Sequence, residues 1–285
     1  MNQELIFDTH AHYDDSAFDG DRDRLLCSLA ENGVGRVVDV GADPASCRMA
    51  LALAEKYEFV YAALGVHPSE TGGLTEQDMD WICEHAAHPK VVAVGEIGLD
   101  YHWQEPSPEI QRRWFLRQIE AAKETGLPVI IHSREAAEET MQILTETKAY
   151  DCGGVIHCYS YSPEMAKEYA EMGFFIGVGG VVTFKNAKKL KRTVEELPIQ
   201  KIVLETDCPY MAPEPSRGTR NDSSRLVHVA AKVAELKGMT VQEVIRTTTE
   251  NAERLYGLAG RHSRKEDNFG ETGKSAGDDT GSAET

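Results

Sequence analysis

The chain reads as an α/β protein of the TIM-type (β/α)8 barrel class, and three observations predict it. Eight short apolar runs alternate with helical patterns from end to end, no linker interrupts them, and six side chains of metal-ligating type stand where separate runs finish. The carboxyl ends of parallel strands are where such a barrel carries its chemistry, so the third observation bears on function as well as fold. A doubly wound open sheet would use the same alternation and is the alternative architecture.

The first run, about 4–9, is Glu4-Leu5-Ile6-Phe7-Asp8-Thr9, with His10 and His12 at its end. Residues two apart in a strand project to one side, so His10-x-His12 directs two imidazoles at one point. Imidazole suits zinc, manganese or iron(II). The second and third runs lie at about 36–41 and 59–64, and Gly65-Val66-His67-Pro68 follows the third, with His67 a candidate for orienting substrate. Glu96 closes the fourth run at 91–95, His132 the fifth at 128–131, and His157 the sixth at 154–157. The seventh spans 174–178, and Asp207 follows the eighth at 201–206. Helical spacing is clear around Arg24-Leu25-Leu26-Cys27-Ser28-Leu29-Ala30 and from Pro108 to Thr125. Two helices open alike, with Ser107-Pro108-Glu109 and Ser162-Pro163-Glu164. Each offers a capping serine, a proline at the first helical position and an acid at the positive helix end.

With 285 residues, 41% of them hydrophobic and 27% charged, the chain is long enough for one large core. The expected organisation is one barrel domain over 1–260 and a polar, disordered tail over 261–285, where large apolar residues almost vanish. No stretch approaches membrane-spanning length and the first residues lack a signal-peptide pattern, so the expected location is cytoplasmic, with no membrane and no obligate protein partner. The net charge of −17 argues against a broad basic surface for gripping duplex DNA. The densest basic run, Lys185, Lys188, Lys189, Lys191 and Arg192, reads as a solvated helix face. Six cysteines without a C-x-x-C pair indicate neither a zinc knuckle nor a disulfide framework. Cys158 and Cys208 adjoin His157 and Asp207, yet alternation along a strand points neighbours to opposite faces, so neither is expected to ligate.

Together the motifs Asp8-Thr9-His10-Ala11-His12, Gly65-Val66-His67-Pro68, Gly95-Glu96-Ile97-Gly98-Leu99-Asp100-Tyr101, His132-Ser133-Arg134, His157-Cys158-Tyr159-Ser160 and Glu205-Thr206-Asp207-Cys208-Pro209-Tyr210 are highly specific. Over about residues 5–258 the chain closely resembles the TatD family of metal-dependent deoxyribonucleases, within the amidohydrolase-like barrels. The resemblance implies a barrel with up to two divalent ions; the histidine ligands favour zinc or manganese, and the carboxylates leave magnesium open. His10, His12 and Asp207 would bind one ion, His132 and His157 the other, and Glu96 would bridge them. It departs from the family after the sixth-strand histidine, where Tyr159-Ser160-Tyr161-Ser162 replaces the frequent Phe-Ser-Gly-Ser.

Two dications sharing a water suit hydrolysis of a phosphoester, with Asp207 also accepting the water's proton. Many related barrels bridge their metals with a carbamylated lysine. Here the fourth run ends in Glu96 and Lys90 precedes it, which favours phosphoesters over cyclic amides. Candidate phosphate donors are Arg134 and the stretch Arg217-Gly218-Thr219-Arg220-Asn221, supported by a similar family segment. Tyr101, Trp103 and Tyr210 are candidates for stacking on a base. The expected substrate is single-stranded or frayed DNA, or another phosphoester, cleaved from an end in the 3′–5′ exonuclease manner. An amidohydrolase or lactonase acting on a small molecule, and a non-catalytic metal-binding barrel, are the competing readings.

Overall fold

The computed structural model describes residues 4–103 and 105–259. Its single sheet has eight parallel strands in sequential order: β1 (Ile6–Ala11), β2 (Val34–Val40), β3 (Val60–Leu64), β4 (Val91–Asp100), β5 (Val129–Arg134), β6 (Gly154–Ile156), β7 (Phe175–Val178) and β8 (Ile202–Leu204). That order has no switch point, which rules out the doubly wound alternative. The seam between β1 and β8 is bridged just past β8. Ala11 pairs with Cys208, His12 N donates to Cys208 O at 2.8 Å, and Asp207 N donates to His10 O at 2.9 Å.

The helices around the sheet are α1 (Arg22–Ser28), α2 (Pro44–Lys56), α3 (Glu76–His85), α4 (Pro108–Thr125), α5 (Ala137–Glu146), α6 (Pro163–Glu171), α7 (Lys188–Glu196), α8 (Leu226–Lys237) and α9 (Val241–Leu255). Helix α4 occupies the span its periodicity predicts. Of the two expected serine caps, Ser162 accepts from Met165 N at 3.2 Å, whereas Ser107 holds the cap position without a side-chain cap bond. The lysine-rich run forms part of α7, where Arg192 pairs with Glu164 and Glu196. Two apolar clusters fill the space between strands and helices, and a third contains Phe7, Val38, Ala63, Val92, Ile130, Val155 and Val203. Tyr256 and Leu258, just after α9, belong to that third cluster, so the end of the described chain plugs the barrel. Asn251 fixes α9 beneath β8 by donating to Ile199 O and Ile202 O at 2.8 and 2.6 Å. Among the described residues no helix is long and apolar enough to cross a membrane. The expected tail, 261–285, lies outside the described residues.

Strand β4 departs most from the run read in the sequence. It continues five residues past Gly95 to Asp100, and every residue in it is buried. Its pairing with β5 shifts register between Val94 and Ile97, around Glu96. Glu96 therefore projects from within a strand instead of closing it. Gly98 lies beside His132 with φ +148°, and a Cβ there would fall 1.9 Å from His132 O. Only glycine allows this approach, so the seating of His132 depends on it. Gly98→Ala is expected to destabilise the fold by about 2–4 kcal/mol, from backbone strain and overpacking. Thermal unfolding should show this as a fall in Tm of roughly 5–15 °C.

Candidate metal centre

The mouth of the barrel gathers all six expected ligand residues, with four imidazoles around one carboxylate. Glu96 is 3% exposed, and its two oxygens face different imidazole pairs. Oε2 lies 3.4 Å from His10 Nε2 and 3.9 Å from His12 Nε2, while Oε1 lies 2.7 Å from His132 Nδ1 and 3.4 Å from His157 Nε2. Asp207 Oδ1 stands 3.4 Å from His12 Nε2 and 3.9 Å from both His10 Nε2 and His157 Nε2. The two Nε2 atoms of His10 and His12 are 3.0 Å apart, as their spacing of two residues predicts.

These separations fit an ion. Four ligands about 2.1 Å from a tetrahedral dication stand about 3.4 Å from one another. The separation of His10 from His12, and the distances from each of them to Glu96 Oε2 and Asp207 Oδ1, run from 3.0 to 3.9 Å. The donor set of neutral imidazoles and carboxylates suits zinc or manganese and tolerates magnesium.

Two further carboxylates, Asp100 and Glu205, act on the histidines from behind. Asp100, 2% exposed at the end of β4, has Oδ2 3.1 Å from His132 Nε2, the ring nitrogen turned away from Glu96. Glu205, 1% exposed, faces His157 Nδ1 at 3.3 Å and accepts from Cys158 N at 2.6 Å. The Glu205 to His157 contact is an electrostatic one without good hydrogen-bond alignment, since neither atom has a hydrogen-bond partner. His12 Nδ1 meets Val40 O at 2.7 Å. Such partners fix tautomer and ring orientation in histidines that hold metals. Both acids stood in quoted motifs, but strand endings do not reveal which carboxylate faces the back of a ring.

The loop after β8 is tied to β1 by Asp8, which is fully buried. Asp8 accepts from Thr206 Oγ1 and Ser223 Oγ at 2.6 Å each and from Thr206 N at 3.0 Å. Asp207 beyond it has φ +56° and Cys158 has φ +45°, the left-handed region that non-glycine residues seldom adopt and that clusters at functional sites.

Electrostatics in the metal-free centre follow from the crowding. Burial disfavours charge on His12, but its hydrogen bond to Asp207 and the charges of Asp207 and Glu96 outweigh that and raise its pKa to about 10. Burial likewise opposes charge on His157, yet Glu205 and Glu96 raise it to about 9. His10 moves the other way, held neutral by burial and by neighbouring His157. Burial would push Glu96 and Asp207 up, but the surrounding histidines hold both below the usual carboxylate range.

The centre lies in a cavity of about 820 Å³. His67 and Arg134 line it, and the His67 ring meets His132 edge-on at 4.3 Å. Arg217, Arg220 and Asn221 do not. Arg220 is bound to Asp21 through two 2.8 Å contacts and lies over the Phe18 ring, and Arg217 lies over Phe184. Asn221 is fully buried and donates to Thr206 O, bracing the loop that carries Asp207. Trp103 and Tyr210 line the cavity at 57% and 56% exposure, while Tyr101 is turned aside to Glu139, 2.7 Å away. Cys158 corrects the alternation argument. It follows β6 in the left-handed region instead of continuing the strand, and its thiol lies within 4.8 Å of ligand atoms of His157 and Asp207. Cys208 is buried in the core.

Residues 7–257 match the family model described as TatD related DNase. The chain belongs to this family. It is 46% identical over 252 residues to the uncharacterized metal-dependent hydrolase YabD of Bacillus subtilis, covering 88% of this chain and 99% of that protein. It is 31% identical over 260 residues to the 3′-5′ ssDNA/RNA exonuclease TatD of Shigella flexneri, covering 89% and 100%. The crystal structure of YjjV, a TatD homologue from Escherichia coli, superposes with a TM-score of 0.85 at 32% identity, covering 90% and 99% of the two chains. The protein is thus a TatD-family metal-dependent hydrolase with a buried His and Glu metal-binding cluster.

Removing a carboxylate behind a ring is expected to weaken metal binding while leaving the fold intact. Glu205→Gln and Asp100→Asn should each lower affinity about 10–100-fold in a metal titration. Metal must also displace protons from His12 and His157, whose pKa values near 10 and 9 keep them charged at neutral pH. His132, raised against the pull of burial by Asp100 and Glu96, gives up a further proton, so apparent affinity should rise with pH from 7 to about 9 or 10 and then level off, with more than two protons released per protein at pH 7. Calorimetry in buffers of different ionisation enthalpy reads this number directly.

Proposed function

We propose that the protein hydrolyses phosphodiester bonds at the ends of single-stranded or frayed DNA, as a 3′–5′ deoxyribonuclease using two divalent ions. The observation that carries this is the division of the Glu96 carboxylate between two imidazole pairs, which suits a bridging ligand without a modified lysine. When bound, two dications lower the pKa of a shared water and neutralise charge on the phosphoester oxygens.

The residues supply the rest. Asp207, held ionised by the neighbouring imidazoles, accepts the proton of the attacking water. Glu96 keeps the two halves of the centre together. Arg134 and His67 donate to phosphate oxygens across the cavity, and Trp103 and Tyr210 offer faces to a base at its rim. Charge is uneven around the cavity. Asp14, Asp15, Asp43 and Glu70 line it, and so does Arg134 at the end of β5. A polyanion threaded across the whole mouth would run against four carboxylates, whereas a strand end entering beside Arg134 would not, which favours cleavage from ends. The name of the Shigella relative supports the same direction.

The deciding assay presents 3′-labelled single-stranded DNA, bis-p-nitrophenyl phosphate and a lactone with Mg²⁺, Mn²⁺ or Zn²⁺. Release of mononucleotides from the labelled end is expected, and hydrolysis of the lactone alone would overturn the proposal in favour of a small-molecule amidohydrolase. Asp207→Asn should lower kcat by about 10²–10⁴-fold with little change in substrate binding, once metal content is shown to be unchanged.

A further inference from the structure

We propose that Cys158 is a coordinating residue of this centre for thiophilic ions, so that zinc or cadmium is held through a sulfur that magnesium and manganese leave untouched. The inference rests on His157 and Asp207 being metal ligands. Three observations carry it. The Cys158 thiol lies within 4.8 Å of ligand atoms of both His157 and Asp207. The residue lines the cavity together with those two side chains. Its backbone, at φ +45°, is held by the 2.6 Å bond from its N–H to the buried Glu205. Glu205 thereby faces His157 and fixes the conformation of Cys158 at once, so one carboxylate sets the position of a nitrogen and a sulfur beside the same ion.

The chemistry sorts ions by softness. A zinc or cadmium ion accepts the sulfur electron pair as the S–H bond breaks, and the proton passes to the buffer. Magnesium and manganese prefer oxygen ligands and leave the S–H bond intact. The ion seated near His157 and Asp207 thus gains a ligand only when it is thiophilic, and Cys158 becomes the residue that sets metal preference.

The test is a cadmium titration of the metal-stripped full-length chain, followed by the ultraviolet sulfur-to-cadmium charge-transfer band and by equilibrium dialysis to count bound ion. The wild type should develop the band with the first equivalents. Cys158→Ser and Cys158→Ala, checked for unchanged thermal unfolding, should lose it while still binding cadmium, about tenfold or more weakly. Affinity for Mn²⁺ should change less than about twofold in both variants. The other five cysteines remain as an internal control. A band persisting in both variants, or cadmium bound by the wild type without a band, overturns the assignment to Cys158. No cadmium bound by the wild type overturns the metal centre itself, and the proposal with it.

Discussion

The structure depends on burying one carboxylate, Glu96, among imidazoles. An ionised acid at 3% exposure is costly to desolvate unless opposite charge and hydrogen bonds surround it. Here His10 and His132 surround it from two strands of the barrel and His12 and His157 from its rim, and the acid and the rings each moderate the cost of burying the other. The ionised acid could not be buried alone at this depth, and bound cations would take over the compensating role that protons on His12 and His157 play in their absence.

Closure of the barrel and assembly of the centre are the same set of contacts. The seam between β1 and β8 is spanned by Asp8 with Thr206 and Ser223, and His10 O accepts the backbone N–H of Asp207 across it. The residues that complete the sheet therefore set the distance between the His10–His12 pair and Asp207. A slip of one residue at this seam would turn Asp207 out of the cluster.

The strands and the six central side chains were legible because both rest on local pattern: an apolar run of a few residues, then a polar ligand type. What escaped the sequence rests on contacts between distant segments. The run containing Glu96 looked finished at Gly95 because glycines and an acid follow, yet β4 continues to Asp100, as the tight approach of Gly98 to β5 lets it stay paired. Asp100 and Glu205 became recognisable only once they faced the backs of histidines 32 and 48 residues away. The strand alternation rule mispointed Cys158 because the strand had already ended. Arg220 and Asn221 lie after the eighth strand as expected, but Asp21 and Thr206 O occupy them in bracing, a use that charge and spacing alone do not distinguish from phosphate binding.

The plug of Tyr256 and Leu258 has a practical corollary. The described chain ends by packing against Phe7 and Val203 inside the barrel, with α9 anchored to the carbonyls that precede and open β8. An affinity handle or a surface linker joined behind Leu258 hangs from the side remote from the reactive opening. Immobilising the enzyme through a link made directly behind Leu258 would leave its working face turned toward bulk solution.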